Sequence, residues 1–235
     1  MKKPYRILFI LLSSLSVSVS ADLHTEKKEF LPLAQSIFTE HPLVFKDISQ
    51  FVIADRHVLY NPLILKIKEA RMKRVPPLPV AAIITNAFMY YFVIQKAIGT
   101  NGSPAWNDFL KNSKTAFYIV DMAANSFPLD TISGSAVSAL MYSLVPQQIL
   151  KAWHVALQAS AYDTGTDKAG ALMLDFLCRN GKLSMSQYIE LYFNYAAVLQ
   201  IPPVHAADLL LELPAALSRK QLFNLLEENS ARKIE

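Results

Sequence analysis

Prolines punctuate this chain far more often than glycines do, with 13 of the former against six of the latter. Between them run long stretches rich in Ala, Leu and Met. Those residues have high helix propensity, and a proline interrupts a helix unless it occupies the first turn. The pattern predicts an all-α fold, a multi-helix bundle whose short connections make sequence neighbours mostly antiparallel. Ser103-Pro104 is the clearest start signal, an N-cap serine followed by proline in the first turn, and that helix is expected to run to about Asn125. Further helices are expected over Pro79 to Ile98, Thr131 to Leu144, Pro146 to Tyr162, Asp167 to Asn180 and Met185 to Gln200. Gly99 and Gly181 act as stop signals. Ser184 with Gln187, and Ser218 with Gln221, have capping-box spacing. The exception is Ile48 to Tyr60, whose β-branched and aromatic residues flank Asp55-Arg56 and suit a small hairpin about as well as a helix.

The first 21 residues have the pattern of a secretory signal peptide. Lys2, Lys3 and Arg6 precede an apolar and serine stretch too short to span a bilayer, and Val19-Ser20-Ala21 presents small residues for cleavage before Asp22. The expectation is a secreted or periplasmic protein, with 22–235 as one helical domain and 22–75 as a candidate subdomain. The whole chain has 23 basic and 19 acidic residues. Losing the three leader cations brings these nearly into balance, so composition gives no pull toward nucleic acid. Cys178 is the lone cysteine. It excludes an intramolecular disulfide and reads as a buried structural thiol near a helix C-terminus, where the dipole disfavours a thiolate.

Asp163-Thr164-Gly165 looks like the tripeptide that carries the catalytic carboxylate of aspartic proteases. Here it lies between two helical stretches rather than in a β-rich lobe, and it occurs once, so it reads as a connector with Gly165 permitting the turn. Gly134, Ser135, Ser138 and Ala139 lack the spacing of a nucleophile elbow and suit close helix packing instead. The histidines show none of the common helical metal-ligand spacings. His205 and Asp208 are three apart on one helix face. Together with His154 and Asp175 they are the candidates for a secreted hydrolase, metal-dependent or not. Asn86, Asp121, Glu190 and Asn194 are further polar residues within apolar helices, which would form a site if several converged.

Two features suit binding. Tyr188, Tyr192 and Tyr195 fall at i, i+4 and i+7 and give one helix an aromatic face, either core or the wall of a groove. Leu63 to Arg74 places Lys66, Lys68, Arg71, Lys73 and Arg74 against a lone Glu69, a local positive excess suited to a protein partner or an anionic membrane surface. The first expectation is thus an exported, non-enzymatic helical binding protein, acting through an inter-helix groove or this basic helix and needing no cofactor or metal. A secreted hydrolase is the alternative. The apolar stretch from Pro79 is expected to be a buried central helix, leaving no transmembrane span after export.

Overall fold

The computed structural model describes residues 23–54, 58–99, 103–179, 188–212 and 219–231. Among them there are twelve α-helices and no strand. They fall into two compact units, the first ending at Ser126 and the second beginning at Phe127.

The first unit contains α1 (Leu23–Ile37), α2 (Pro42–Ala54), α3 (Tyr60–Met72), α4 (Pro77–Gly99), α5 (Pro104–Leu110) and α6 (Ser113–Ala124). Its most extensive helix contacts are α4 on α6 and α1 on α3. Phe30 stacks on Tyr60 at 5.1 Å between ring centroids and meets Phe88 at 6.1 Å, tying α1, α3 and α4 together. Leu63 and Ile67 of α3, Ile84 and Ile94 of α4, and Ile119 of α6 complete an apolar interior. Each such burial contributes about 1.5–3 kcal/mol.

The hairpin expected for 48–60 is not found. Residues 48–54 belong to α2 and Tyr60 opens α3, while 55–57 lie outside the described residues. Side-chain preference for a pleated surface is a weak signal that helix packing overrides. The single helix expected from Pro104 to Asn125 is two. Leu110 ends α5, and Asn112 caps α6, its side-chain oxygen accepting the Lys114 N–H at 2.8 Å. Asn112 offers the backbone a competing hydrogen bond, which is why the chain breaks there.

The second unit contains α7 (Leu129–Met141), α8 (Pro146–Ala161), α9 (Thr166–Cys178), α10 (Ile189–Val198), α11 (Pro203–Glu212) and α12 (Arg219–Ala231). Contact is greatest between α8 and α9, and α9 also meets α7 and α11. Trp153, Phe176, Tyr192 and Phe193 are buried here. Trp153 donates its indole N–H to Ser135 Oγ at 3.0 Å, and Ser135 in turn donates to the Ile132 carbonyl at 2.7 Å. A buried serine and a buried indole thereby satisfy each other. On α7, Ser135 and Ala139 are buried, while a Cβ at Gly134 would meet only Leu174 Cδ2, at 3.9 Å; the close approach is at Gly170 on α9, where a Cβ would lie 2.7 Å from Thr131 Cγ2. Both capping-box serines, Ser184 and Ser218, lie outside the described residues.

Helix ends share one device. Arg74, Ser126, Ser143, Asp163 and Gln200 all have positive φ, between 50° and 62°. After α3, the Val75 N–H reaches the Ala70 carbonyl at 2.9 Å and the Arg74 N–H reaches Arg71 at 3.1 Å, a Schellman closure with arginine where glycine is usual. Leu144 to Ala139 and Ile201 to Ala196 repeat it after α7 and α10.

Candidate functional site

The basic stretch of α3 is positioned by its apolar side. Leu63, Ile64 and Ile67 are buried, which fixes the helix rotation and leaves Lys68, Arg71, Lys73 and Arg74 exposed while Lys66 is largely covered. Most of that charge is met within the unit. Lys66 pairs with Asp121 of α6 at 2.9 Å, Lys68 with Glu29 of α1 at 2.6 Å, and Lys73 with Glu69 at 2.5 Å. Burial raises the Asp121 carboxyl above its ordinary range, with the Lys66 charge opposing the shift and Glu69 adding to it. The Lys66–Asp121 pair thus fastens α3 to α6. Because Glu29 and Asp121 are distant in sequence, the local excess overstates the field this helix presents.

The unmatched charge lies at the end of α3. Arg71 donates to Ser36 Oγ, and no carboxylate among the described residues pairs with Arg71 or Arg74. Every residue from Arg71 through Pro79 is exposed. Met72 at 79% and Leu78 at 67% are among the most exposed large apolar side chains of the chain. The corner therefore combines cations, including Lys73, with uncovered apolar groups. Arg71 also reaches the edge of an open cleft of about 440 Å³ between α1 and α2, lined by Pro32, Ser36, Phe38, Pro42 and Phe45 among others.

Helix α4 continues from this corner. It is the one described helix long and apolar enough to cross a membrane. Val80, Ile84, Ala87, Tyr91, Ile94 and Ile98 are buried, and it contacts α1, α2, α3, α5 and α6. Its other face leaves Leu78, Ala82, Met89, Phe92 and Lys96 exposed. Sequence reading missed Met72, Leu78, Met89 and Phe92 as surface groups. A helix apolar on all sides carries no periodic signal to say which side its neighbours cover.

In the tyrosine row of α10, two hydroxyls are engaged by other helices of the unit. Tyr192 is fully buried and donates to the Ala206 carbonyl at 2.9 Å, and burial raises its pKa. Tyr195 donates to Glu227 at 2.6 Å and meets Phe223 edge to face at 5.1 Å. Tyr188 precedes the helix and is half-buried. Two of the three hydroxyls are thus spent on neighbouring helices.

Two of the hydrolase candidates, Asp208 and Asp175, are each engaged by a cation. Asp208 pairs with Lys168, while His205 beside it is exposed. Asp175 pairs with Arg179 at 2.8 Å, and Arg179 also donates to the Leu211 carbonyl at 3.1 Å. His154 is half-buried on α8. No group of three or more His, Cys, Asp or Glu side chains with metal-holding geometry occurs among the described residues. Of the other polar residues, Glu190 and Asn194 meet at Tyr162, whose hydroxyl contacts the Glu190 carbonyl at 3.3 Å and Asn194 Oδ1 at 3.0 Å. Asp121 belongs to the first unit and pairs with Lys66.

Cys178 is exposed, not buried, because it sits in the last turn of α9 on the side away from Phe176 and Leu177. It lies in hydrogen-bonding reach of Tyr142, whose pKa is raised by that contact. The Asp163-Thr164-Gly165 segment is a connector, as expected. Asp163 and Gly165 both have positive φ, at 62° and 81°, Gly165 caps α9, and Thr164 is buried. No protein-family model, curated protein or solved structure matches the chain.

Proposed function

We propose that this is an exported α-helical binding protein, without catalysis of its own, that docks on acidic surfaces through the corner where α3 ends and α4 begins. The observation that carries this reading is the uninterrupted exposure of residues 71–79, which interleaves Arg71, Lys73 and Arg74 with Met72, Val75 and Leu78. Two arginines without a carboxylate partner among the described residues keep their charge available, and the apolar groups add contact area once the surfaces meet. Lys66 and Lys68 serve the fold rather than the partner in this reading, since acids of α1 and α6 engage them. Export follows from the leader, with the mature chain starting at Asp22, and the short connections run neighbouring helices antiparallel. The hydrolase alternative has no comparable observation behind it.

The test is binding to two acidic probes, immobilised polyglutamate and vesicles containing phosphatidylglycerol, as salt is increased. Affinity for both is expected to fall steeply from low to physiological ionic strength, because exposed charges are screened over about 8–10 Å there. Arg71→Glu with Arg74→Glu is expected to abolish retention on both while leaving the helical circular dichroism unchanged. Binding insensitive to salt, or unaltered in the double variant, would refute the reading.

A further inference from the structure

From the geometry of α4 we propose that the acidic surface is a lipid bilayer and that α4 lies in its interface plane. This rests on the docking reading above and names its partner. Residues Leu78, Ala82, Met89, Phe92 and Lys96 are spaced by four, seven, three and four, so they form one narrow row along the helix. All five are exposed, with Leu78 at 67%, Met89 at 41% and Phe92 at 45%. The row is about 27 Å long at the α-helical rise. It is cationic at both ends, with Arg71, Lys73 and Arg74 at its start and Lys96 at its finish, and it carries no acidic side chain between.

An apolar stripe with basic ends is complementary to a layer whose headgroups are anionic and whose interior begins just beneath them. An acidic protein surface would pair the ends but leave the stripe without a match. The opposite face of α4 is buried against helices of its own unit. That keeps the helix in the plane of the surface, since a spanning orientation would strip the buried face of those neighbours. Insertion thus involves Leu78, Met89 and Phe92 entering the headgroup boundary while Lys96 and the α3 end hold the phosphates.

Phe92→Trp supplies a reporter in this stripe, because the native Trp106 and Trp153 are buried. With vesicles of phosphatidylglycerol and phosphatidylcholine, lipids brominated near the headgroup end of the chain should quench this tryptophan more than lipids brominated near the bilayer centre. Met89→Gln with Phe92→Gln, both outside the 71–79 corner, should weaken vesicle binding about tenfold or more while leaving polyglutamate binding unchanged. Both positions are exposed, so the fold should tolerate them, with circular dichroism as the check. Equal vesicle binding by the glutamine variant, or no quenching of the bound tryptophan, would overturn the bilayer proposal while leaving charge-dependent docking standing. Stronger quenching by centre-brominated lipids would overturn the in-plane orientation. Loss of salt-dependent retention on both probes would instead remove the docking reading itself.

Discussion

Gly170 shows how a single hydrogen atom in place of a methyl sets the spacing of two helices. In an exposed helix, glycine to alanine is stabilising by about 1 kcal/mol. At Gly170 the new Cβ would fall 2.7 Å from Thr131 Cγ2 and 3.7 Å from Thr131 Cβ, and the branched threonine has little room to yield. Overlap of that size outweighs the propensity gain. Gly170→Ala is expected to destabilise by about 1–3 kcal/mol in denaturant unfolding, and adding Thr131→Ala should recover part of the loss. Additivity of the two changes would show that the contact is not what glycine protects. Tyr60 makes a second residue-level case. Burial pushes its pKa from 10.0 up to about 12, so the folded state favours the neutral phenol more than the unfolded chain does. The sign follows from proton linkage. Its stabilisation is fully present below the unfolded value and is lost as pH rises from 10.0 toward about 12. Tyr60→Phe keeps the ring against Phe30, and the variant should lose less stability between about pH 9 and about pH 11 than the parent. An unchanged alkaline slope would mean Tyr60 is not a titrating contributor.

At the scale of elements, proline starts were legible and most helix ends were not. Pro104 and Pro146 each open a helix, and the chain from Pro77 and Pro79 forms α4. Gly99 ends α4 as expected, but the chain has only six glycines, and other helices close on Ser143, Asp163, Gln200 and others at positive φ. Expected ends at Asn125, Leu144, Tyr162 and Gln200 therefore ran past the observed Ala124, Met141, Ala161 and Val198. The helix over 23–37 is hidden in the sequence because Pro32 lies within it, and that over 42–54 shows only in its second half, where Ile48 to Tyr60 suits a helix about as well as a hairpin. A non-glycine residue in this conformation carries backbone strain that glycine does not. Ser143→Gly and Gln200→Gly are each expected to raise stability by about 0.5–1 kcal/mol, despite glycine's greater freedom when unfolded. A loss of stability in both would show that their side chains hold these turns. The basic helix was legible as a charged segment. Its pairing with Glu29 and Asp121 was not, because those contacts are set by tertiary packing, and the exposed row on α4 was hidden for the same reason.

Across the whole molecule, the distribution of aromatic residues gives each compact unit its own reporter. The chain has two tryptophans, Trp106 in the first unit and Trp153 in the second, and both are buried. Each unit also has its own buried apolar set, around Phe30 and Tyr60 in one and around Trp153 and Phe176 in the other. Units with separate cores unfold as separate cooperative blocks when the coupling between them is weaker than either core. The sequence reads as one helical domain over 22–235 with 22–75 as a candidate subdomain, since proline spacing marks helix ends and says nothing about which helices share an interior. The expected outcome is two fluorescence transitions in denaturant. Trp106→Phe leaves a chain whose emission follows the second unit, and Trp153→Phe leaves one that follows the first. Gly170→Ala belongs to the second unit, so it should lower the midpoint reported by Trp153 and leave that reported by Trp106 within error. Tyr60→Phe should move only the Trp106 midpoint at alkaline pH. If either substitution shifts both midpoints equally, the two units melt as one block, and the stability of the corner that bears Arg71 and Arg74 depends on residues of the other unit.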